Sequence, residues 1–207
     1  VYIGQTRGAN WIARLEALGF GEMTCRGELP PRRRPFAFDN GAFKDWTAGK
    51  PFNVDRYERD LEALWRVDGT PDFLTPPDIV AGGLRSLEFS LDWMPRLRKY
   101  GPLYLVVQDG MEFSDVEPVL GDFAGIFVGG SLAWKLRTSE NWVLLAHALG
   151  KKCHIGRVGT ELRVRWARRI GADSIDSCLP LWSDANLRRF LRGFEPTRSR
   201  DFFEAAV

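Results

Sequence analysis

The chain has 207 residues, 44% of them hydrophobic and 27% charged, with a net charge of +2. That is enough material for one sizeable core, and no run is long or apolar enough to span a bilayer, so the expectation is one soluble domain over residues 1–207 with no membrane partner. Val1-Tyr2-Ile3 opens the chain without a basic segment ahead of an apolar one, and Cys25, Cys153 and Cys178 stand apart from one another, which together predict a cytoplasmic protein with reduced thiols. Neither His147 nor His154 completes a zinc spacing with these cysteines, so no structural metal is expected.

In chain order, Val1 to Ile3 reads as a strand stopped at Gly4, and Asn10 to Leu18 as a helix with Ile12, Leu15 and Leu18 on one face. Residues 19–35, with Pro30, Pro31 and the run Arg32-Arg33-Arg34, read as a long loop. Phe36-Ala37-Phe38 then runs into Asp39, and Asn40-Gly41-Ala42 turns the backbone ahead of Phe43 and Trp46. Two readings fit: a buried strand that delivers a carboxylate to a pocket, or a turn that Asp39 caps through its own backbone. Asn53 caps a helix whose Val54, Tyr57, Leu61 and Leu64 make one apolar stripe.

Asp72 to Thr75 is the next predicted strand, stopped by Pro76-Pro77-Asp78, and Leu84 to Tyr100 is helical with a kink or restart at Pro95. Leu103 to Val107 is a strand ending in Gln108-Asp109-Gly110, and Ala124 to Val128 is another, ending in Gly129-Gly130-Ser131. Trp142, Leu145, Ala146 and Leu149 mark a helix closed by Gly150, followed by a strand from Lys152 to Ile155. Thr160 opens a helix with Leu162, Trp166 and Ile170 on one face and Arg163, Arg165, Arg168 and Arg169 on the other. Asp173 to Asp176 is the last strand, and Leu187, Phe190 and Leu191 lie on the last helix.

Seven strand-helix units with nearly continuous apolar strands predict an α/β fold with a parallel sheet, doubly wound or closed as a barrel. Asp39, Asp78, Gln108, Gly129-Gly130 and Asp176 fall in step at the C-terminal ends of these strands, where both architectures build their sites. Each of them alone is also an ordinary turn residue. Residues 151–200 carry 12 Lys/Arg against 5 Asp/Glu, an excess that suits either a phosphate backbone or solvated helix faces.

Asp39-Asn40-Gly41-Ala42-Phe43 resembles the Asp-Ser-Gly-Gly-aromatic segment of the tRNA-guanine transglycosylases, and Gly171-Ala172-Asp173-Ser174-Ile175-Asp176 is similar to their Gly-x-Asp-x-Phe-Asp segment. Pro77-Asp78, Gln108-Asp109-Gly110, Phe127-Val128-Gly129-Gly130 and Ile155-Gly156-Arg157-Val158-Gly159 follow in the family's order. The similarity covers about residues 36–180, and the wording is most like the DpdA branch, which inserts 7-deazaguanines into DNA. The resemblance implies a compact TIM-barrel-like fold and a base exchange that uses no redox cofactor.

It further implies Asp176 as the nucleophile at C1′ and Asp39 as the acid that becomes a base, with Asp173, earlier on the same strand, in reserve. Asp78 would accept from the N1–H and amine of a guanine-type base, and Gln108 and the backbone of Gly129-Gly130 would face its carbonyl. Phe43 would stack on one face of the base and Ile155 on the other, after the base has left its duplex. Where the bacterial tRNA enzymes carry a glutamate that favours a cationic aminomethyl base, this chain has Lys135, which implies a neutral incoming base such as preQ0. Arg157, Arg163 and Arg165 would hold the flanking phosphates.

After Asp176 the chain offers only Cys178 in place of the family's Cys-x-Cys-x-x-Cys-plus-His zinc insertion, which removes an element linked to tRNA docking. The partners implied are DNA, a free 7-deazaguanine base and a second subunit, either another copy or a companion protein. The competing expectations are the same exchange on tRNA, a non-catalytic nucleic-acid-binding subunit, and an unrelated barrel hydrolase or isomerase acting on a small molecule.

Overall fold

Seven short strands run parallel in one curled sheet: β1 (Tyr2–Gly4), β2 (Gly21–Cys25), β3 (Phe36–Asp39), β4 (Tyr104–Val107), β5 (Gly125–Val128), β6 (Lys152–Ile155) and β7 (Ser174–Ser177). Their order is β3-β2-β1-β7-β6-β5-β4, so the first and last strands of the chain lie side by side. This computed structural model describes residues 1–196. Among the described residues eight α-helices connect or flank the strands: α1 (Ala9–Ala17), α2 (Ala42–Thr47), α3 (Val54–Val67), α4 (Leu84–Leu97), α5 (Phe113–Leu120), α6 (Leu132–Ala148), α7 (Glu161–Arg169) and α8 (Asp184–Arg192). Among the described residues no helix is long and apolar enough to cross a membrane.

Strand alternation sorts the side chains into two layers. Ile3, Phe36, Phe38, Leu105, Val107, Ile126, Val128, Cys153, Ile155 and Ile175 pack outward against helix residues such as Leu15, Leu61, Leu64, Trp93, Trp142, Val164 and Phe190. Among the described residues the inner face carries no helix: Met23, Ala37, Phe73 and Tyr104 pack on one another there, with Tyr2 and Phe127 beside them. A doubly wound sheet would have helices on both faces, so the fold is barrel-like. Phe73 and Tyr104 stack at 4.2 Å between ring centres, near the middle of this inner layer.

The stretch from Asp72 to Thr75 departs from the expected full strand and forms single-residue parallel bridges, Leu74 to Phe38 on one side and Leu74 to Leu103 on the other. The backbone of Phe38 donates to Phe73 O and that of Tyr104 to Leu74 O, each at 3.0 Å, so both edges of the curled sheet reach the same segment. Pro76 and Pro77 have no N–H, which stops the ladder there.

The second departure is β2, which lies inside residues read from sequence as loop. Only Met23 and Cys25 of this strand show an apolar signal, because its outer face carries Glu22 and Thr24. Among the described residues no helix residue bonds to the polar groups of that face. Residues 26–35 fold back over it instead, and the fully buried Arg33 sits 3.4 Å from Glu22 while donating to the carbonyls of Ile3 and Gly4. Gln5 and the backbone N–H of Arg32 complete the partners of Glu22.

The helix starts follow from capping. Asn53, Ser131, Thr160 and Ser183 each accept the backbone N–H three residues on, which satisfies one of the donors a helix start leaves free. These caps orient α3, α6, α7 and α8 from the C-terminal ends of the strands, the end on which the candidate polar residues lie.

Candidate active site at the C-terminal ends of the strands

Asp176 stands on β7 with its side chain 13% exposed, on the inner face. His154 Nε2 lies 3.0 Å from its Oδ1, and the backbone N–H of Arg157 donates to the same oxygen at 3.2 Å. Oδ2 has no hydrogen-bond partner among the described residues. A Cβ at position 156 would meet the Phe127 ring at 2.8 Å, so Gly156 lets the loop lie against this ring beside the carboxylate.

Asp39 ends β3 on the same inner face. Thr75 Oγ1 is 3.4 Å from its Oδ1, and the backbone N–H of Gly41 also donates to it, so the turn-capping reading holds in part. Loss of solvent, and then the charges of Asp78 and Asp176, push its carboxyl up to about 7. Asn40 does most of the turning: its Oδ1 accepts from Ala42 N–H at 2.7 Å, and Gly41 takes φ +78°. The Asn40 amide donates to Pro76 O at 2.6 Å and to Asp78 Oδ1 at 2.9 Å, which ties the β3 end to the neighbouring loop.

Asp78 is 8% exposed, and burial pushes it up to about 6 against the hydrogen bonds from Asn40 and Gln108. Gln108 spends its amide locally. Its Nε2 donates to Ile79 O at 2.9 Å and Ser86 Oγ at 2.7 Å and lies 3.3 Å from Asp78 Oδ2, while its Oε1 accepts from Ala81 N–H at 2.7 Å. The expectation that Gln108 presents a free donor is therefore corrected: it braces the Asp78 loop.

Gly129 gives its N–H to Val107 O at 2.8 Å, whereas the N–H of Gly130 bonds to no described residue and is free to donate. Gly130 takes φ +68°, and a Cβ there would meet Asp109 Oδ2 at 2.6 Å, so a side chain would force this turn open. Arg157, itself at φ +60°, crosses the mouth: its guanidinium donates to Gly130 O and lies 4.2 Å from the ring centre of Phe43. Phe43 is 43% exposed and stands beside the exposed Trp46, 5.8 Å between ring centres.

Lys135 is 3% exposed and donates to Gly156 O, so it points into this region and not to solvent. Burial, and then the charge of Arg157, lower its amine to about 8. Asp39, Asp78, Asp176, Gly130, Phe43, Lys135 and Arg157 thus come together at one end of the sheet. Three carboxylates, a buried amine and a free N–H can support attack at carbon, proton transfer and recognition of a polar ring edge.

Other expectations fall elsewhere. Asp173 lies three places before Asp176, an odd spacing that takes it off the inner face, and its Oδ2 is bound to Cys153 N–H and His147 at the far end of β7. Ile155 is fully buried among the outward residues between sheet and helices, so it offers no face to a ligand. Arg165 donates to the carbonyls of Arg192 and Glu195 at the end of α8 and pairs with Glu161, a structural duty. Arg163 stays near the site as one of the charges that lower Lys135.

The reading of single residues missed His154 and Asn40. The signal for His154 was available, because alternation along Lys152–Ile155 sends Cys153 and Ile155 outward and His154 inward. Among the described residues no three His, Cys, Asp or Glu side chains converge as metal ligands. A surface cavity of about 1070 Å³ lies between α3 and α4, lined by Leu61, Arg66, Trp93 and Tyr100, and holds none of the candidate residues. No protein-family model matches the chain, and no curated protein matches it at a significant level.

Proposed function

We propose that the chain is a TIM-barrel-like guanine transglycosylase that replaces guanine in DNA by a neutral 7-deazaguanine base such as preQ0. The observation that carries the reading is the pairing of Asp39 with Asp176 on one inner face, with Asp39 held at about 7, partly by the charge of Asp176. A carboxyl at that value serves as acid and then base near neutrality. The bonds from the 72–75 segment to both sheet edges support the barrel.

In the first half, Asp176 Oδ2 bonds to C1′ as the C1′–N9 bond breaks, and the departing base takes the proton of Asp39. In the second half, the incoming base gives its N9 proton to Asp39, N9 bonds to C1′, and the C1′–Oδ2 pair returns to the carboxylate. Asp78 accepts from the N1–H and amine of the base, and Gly130 N–H donates to its carbonyl. Phe43 stacks on the base once Arg157 gives up its place over the ring. The buried Lys135 disfavours a cationic substituent.

The test is exchange of labelled guanine into DNA and, separately, into tRNA, with the native protein and with Asp176→Asn. Exchange into DNA that Asp176→Asn abolishes is expected. Exchange into tRNA alone would move the substrate class, exchange into neither would end the assignment, and an active Asp176→Asn protein would end the mechanism.

A further inference from the structure

Below Asp176 the inner layer is aromatic, and one member of it is a histidine. His154 is fully buried, stacks on Phe127 at 4.7 Å with ring planes 25° apart, and has Phe73 at 5.1 Å. Both ring nitrogens are occupied: Nδ1 lies 2.8 Å from Ser174 Oγ and Nε2 lies 3.0 Å from Asp176 Oδ1. Ser174 and Asp176 are two places apart on β7, so they project from the same face, and the imidazole bridges them along the strand. A ring stacked on an aromatic neighbour and bonded at both nitrogens has one orientation.

We propose that His154 is the positioning residue of Asp176: its Nε2–H holds Oδ1 and leaves Oδ2 as the oxygen presented to the ligand. The Ser174 hydroxyl donates to Nδ1, which selects the tautomer carrying its proton on Nε2. The arrangement inverts the usual one, in which a carboxylate orients a catalytic imidazole. The Arg157 N–H reinforces the choice by donating to Oδ1 as well. Fixing one oxygen leaves the other aimed before the ligand arrives, so no carboxylate rotation is needed at the moment of attack. The role of Oδ2 at C1′ rests on the transglycosylase reading; the orientation of the carboxylate does not.

The chain has two histidines, so ring ¹⁵N spectra of the native protein and a His147→Gln variant assign His154 without ambiguity. A Nε2-protonated ring whose Nε2 resonance moves in Asp176→Ala is expected; a Nδ1-protonated ring, or one indifferent to Asp176→Ala, would overturn the proposal. In steady-state exchange, His154→Phe preserves the stacking and loses the donor, and a fall in kcat of about 100-fold at unchanged KM is expected. His154→Gln keeps a donor and is expected to restore most of that rate. Full activity in His154→Phe would mean the ring only fills space. A native protein that forms no adduct with DNA or tRNA, but shows the Nε2–H bond to Asp176, would sink the transglycosylase reading and leave the positioning intact.

Discussion

Replacing Asp39 by asparagine removes a charge that the fold opposes. The native carboxyl rises from 3.8 to about 7 through burial and the neighbouring charges of Asp78 and Asp176. A rise of that size corresponds to about 4 kcal/mol of preference for the neutral form. Asp39 is only partly buried, and solvent at the mouth screens part of this, leaving ~2 kcal/mol to be read in global stability. The sign follows from proton linkage: well below pH 3.8 the carboxyl is neutral in both folded and unfolded chains and costs nothing. As pH climbs from 3.8 towards 7 the unfolded chain ionises first, the native protein loses stability, and the loss is complete above 7.

The amide introduced by Asp39→Asn keeps an oxygen for the Thr75 hydroxyl and carries no charge. Urea unfolding followed by circular dichroism is therefore expected to give an advantage for Asp39→Asn that grows from near zero well below pH 3.8 to roughly 2 kcal/mol near about pH 8. The same variant is expected to lose base exchange, having neither proton to give nor site to receive one. A stability difference that does not vary with pH, or a less stable variant at the higher pH, would refute the claim that Asp39 is strained against ionisation.

Glu22→Gln is expected to destabilise the protein by about 3–5 kcal/mol in the same unfolding assay, because it leaves the fully buried Arg33 without a counter-charge. A loss below about 1 kcal/mol would show that the pair does not hold residues 26–35 on the sheet. Arg157→Ala is expected to lower the salt slope of DNA binding by about 1, whereas Arg165→Ala leaves the slope alone and lowers stability instead, since its partners are the carbonyls ending α8. Equal slopes for the two variants would remove Arg157 from the nucleic-acid surface. In competition between preQ0 and preQ1, Lys135→Met is expected to shift selection toward the cationic preQ1. Raising the pH through about 8, where Lys135 loses its proton, is expected to shift the native protein the same way and the variant not at all. A native protein that strongly prefers preQ1 would sink the role given to this lysine.

The alternation of short apolar runs with amphipathic stretches was sufficient to predict α/β architecture, since strand and helix periods are local properties of the chain. It also placed Asp39, Asp78, Gly130 and Asp176 at strand ends, because Gly, Pro and Asx residues mark where a strand must stop. Helix starts at Asn53 and Thr160 were legible for the same reason, capping being a matter of three residues. Tertiary structure decided everything that depended on a distant partner. Glu22 hid β2 from the apolar pattern because its counter-ion, Arg33, stands on the return segment and not on the strand. Gln108 looked like a ligand donor until the 78–86 loop took up its amide. Lys135 was read as facing the incoming base, but the group that holds it inward, Gly156 O on the β6 loop, came only with folding. His154, at first one isolated histidine, gained its meaning only when β6 and β7 paired and brought Nε2 to Asp176. Periodicity reports which way a side chain faces; what it meets there depends on residues far away in the chain, and only folding brings them together.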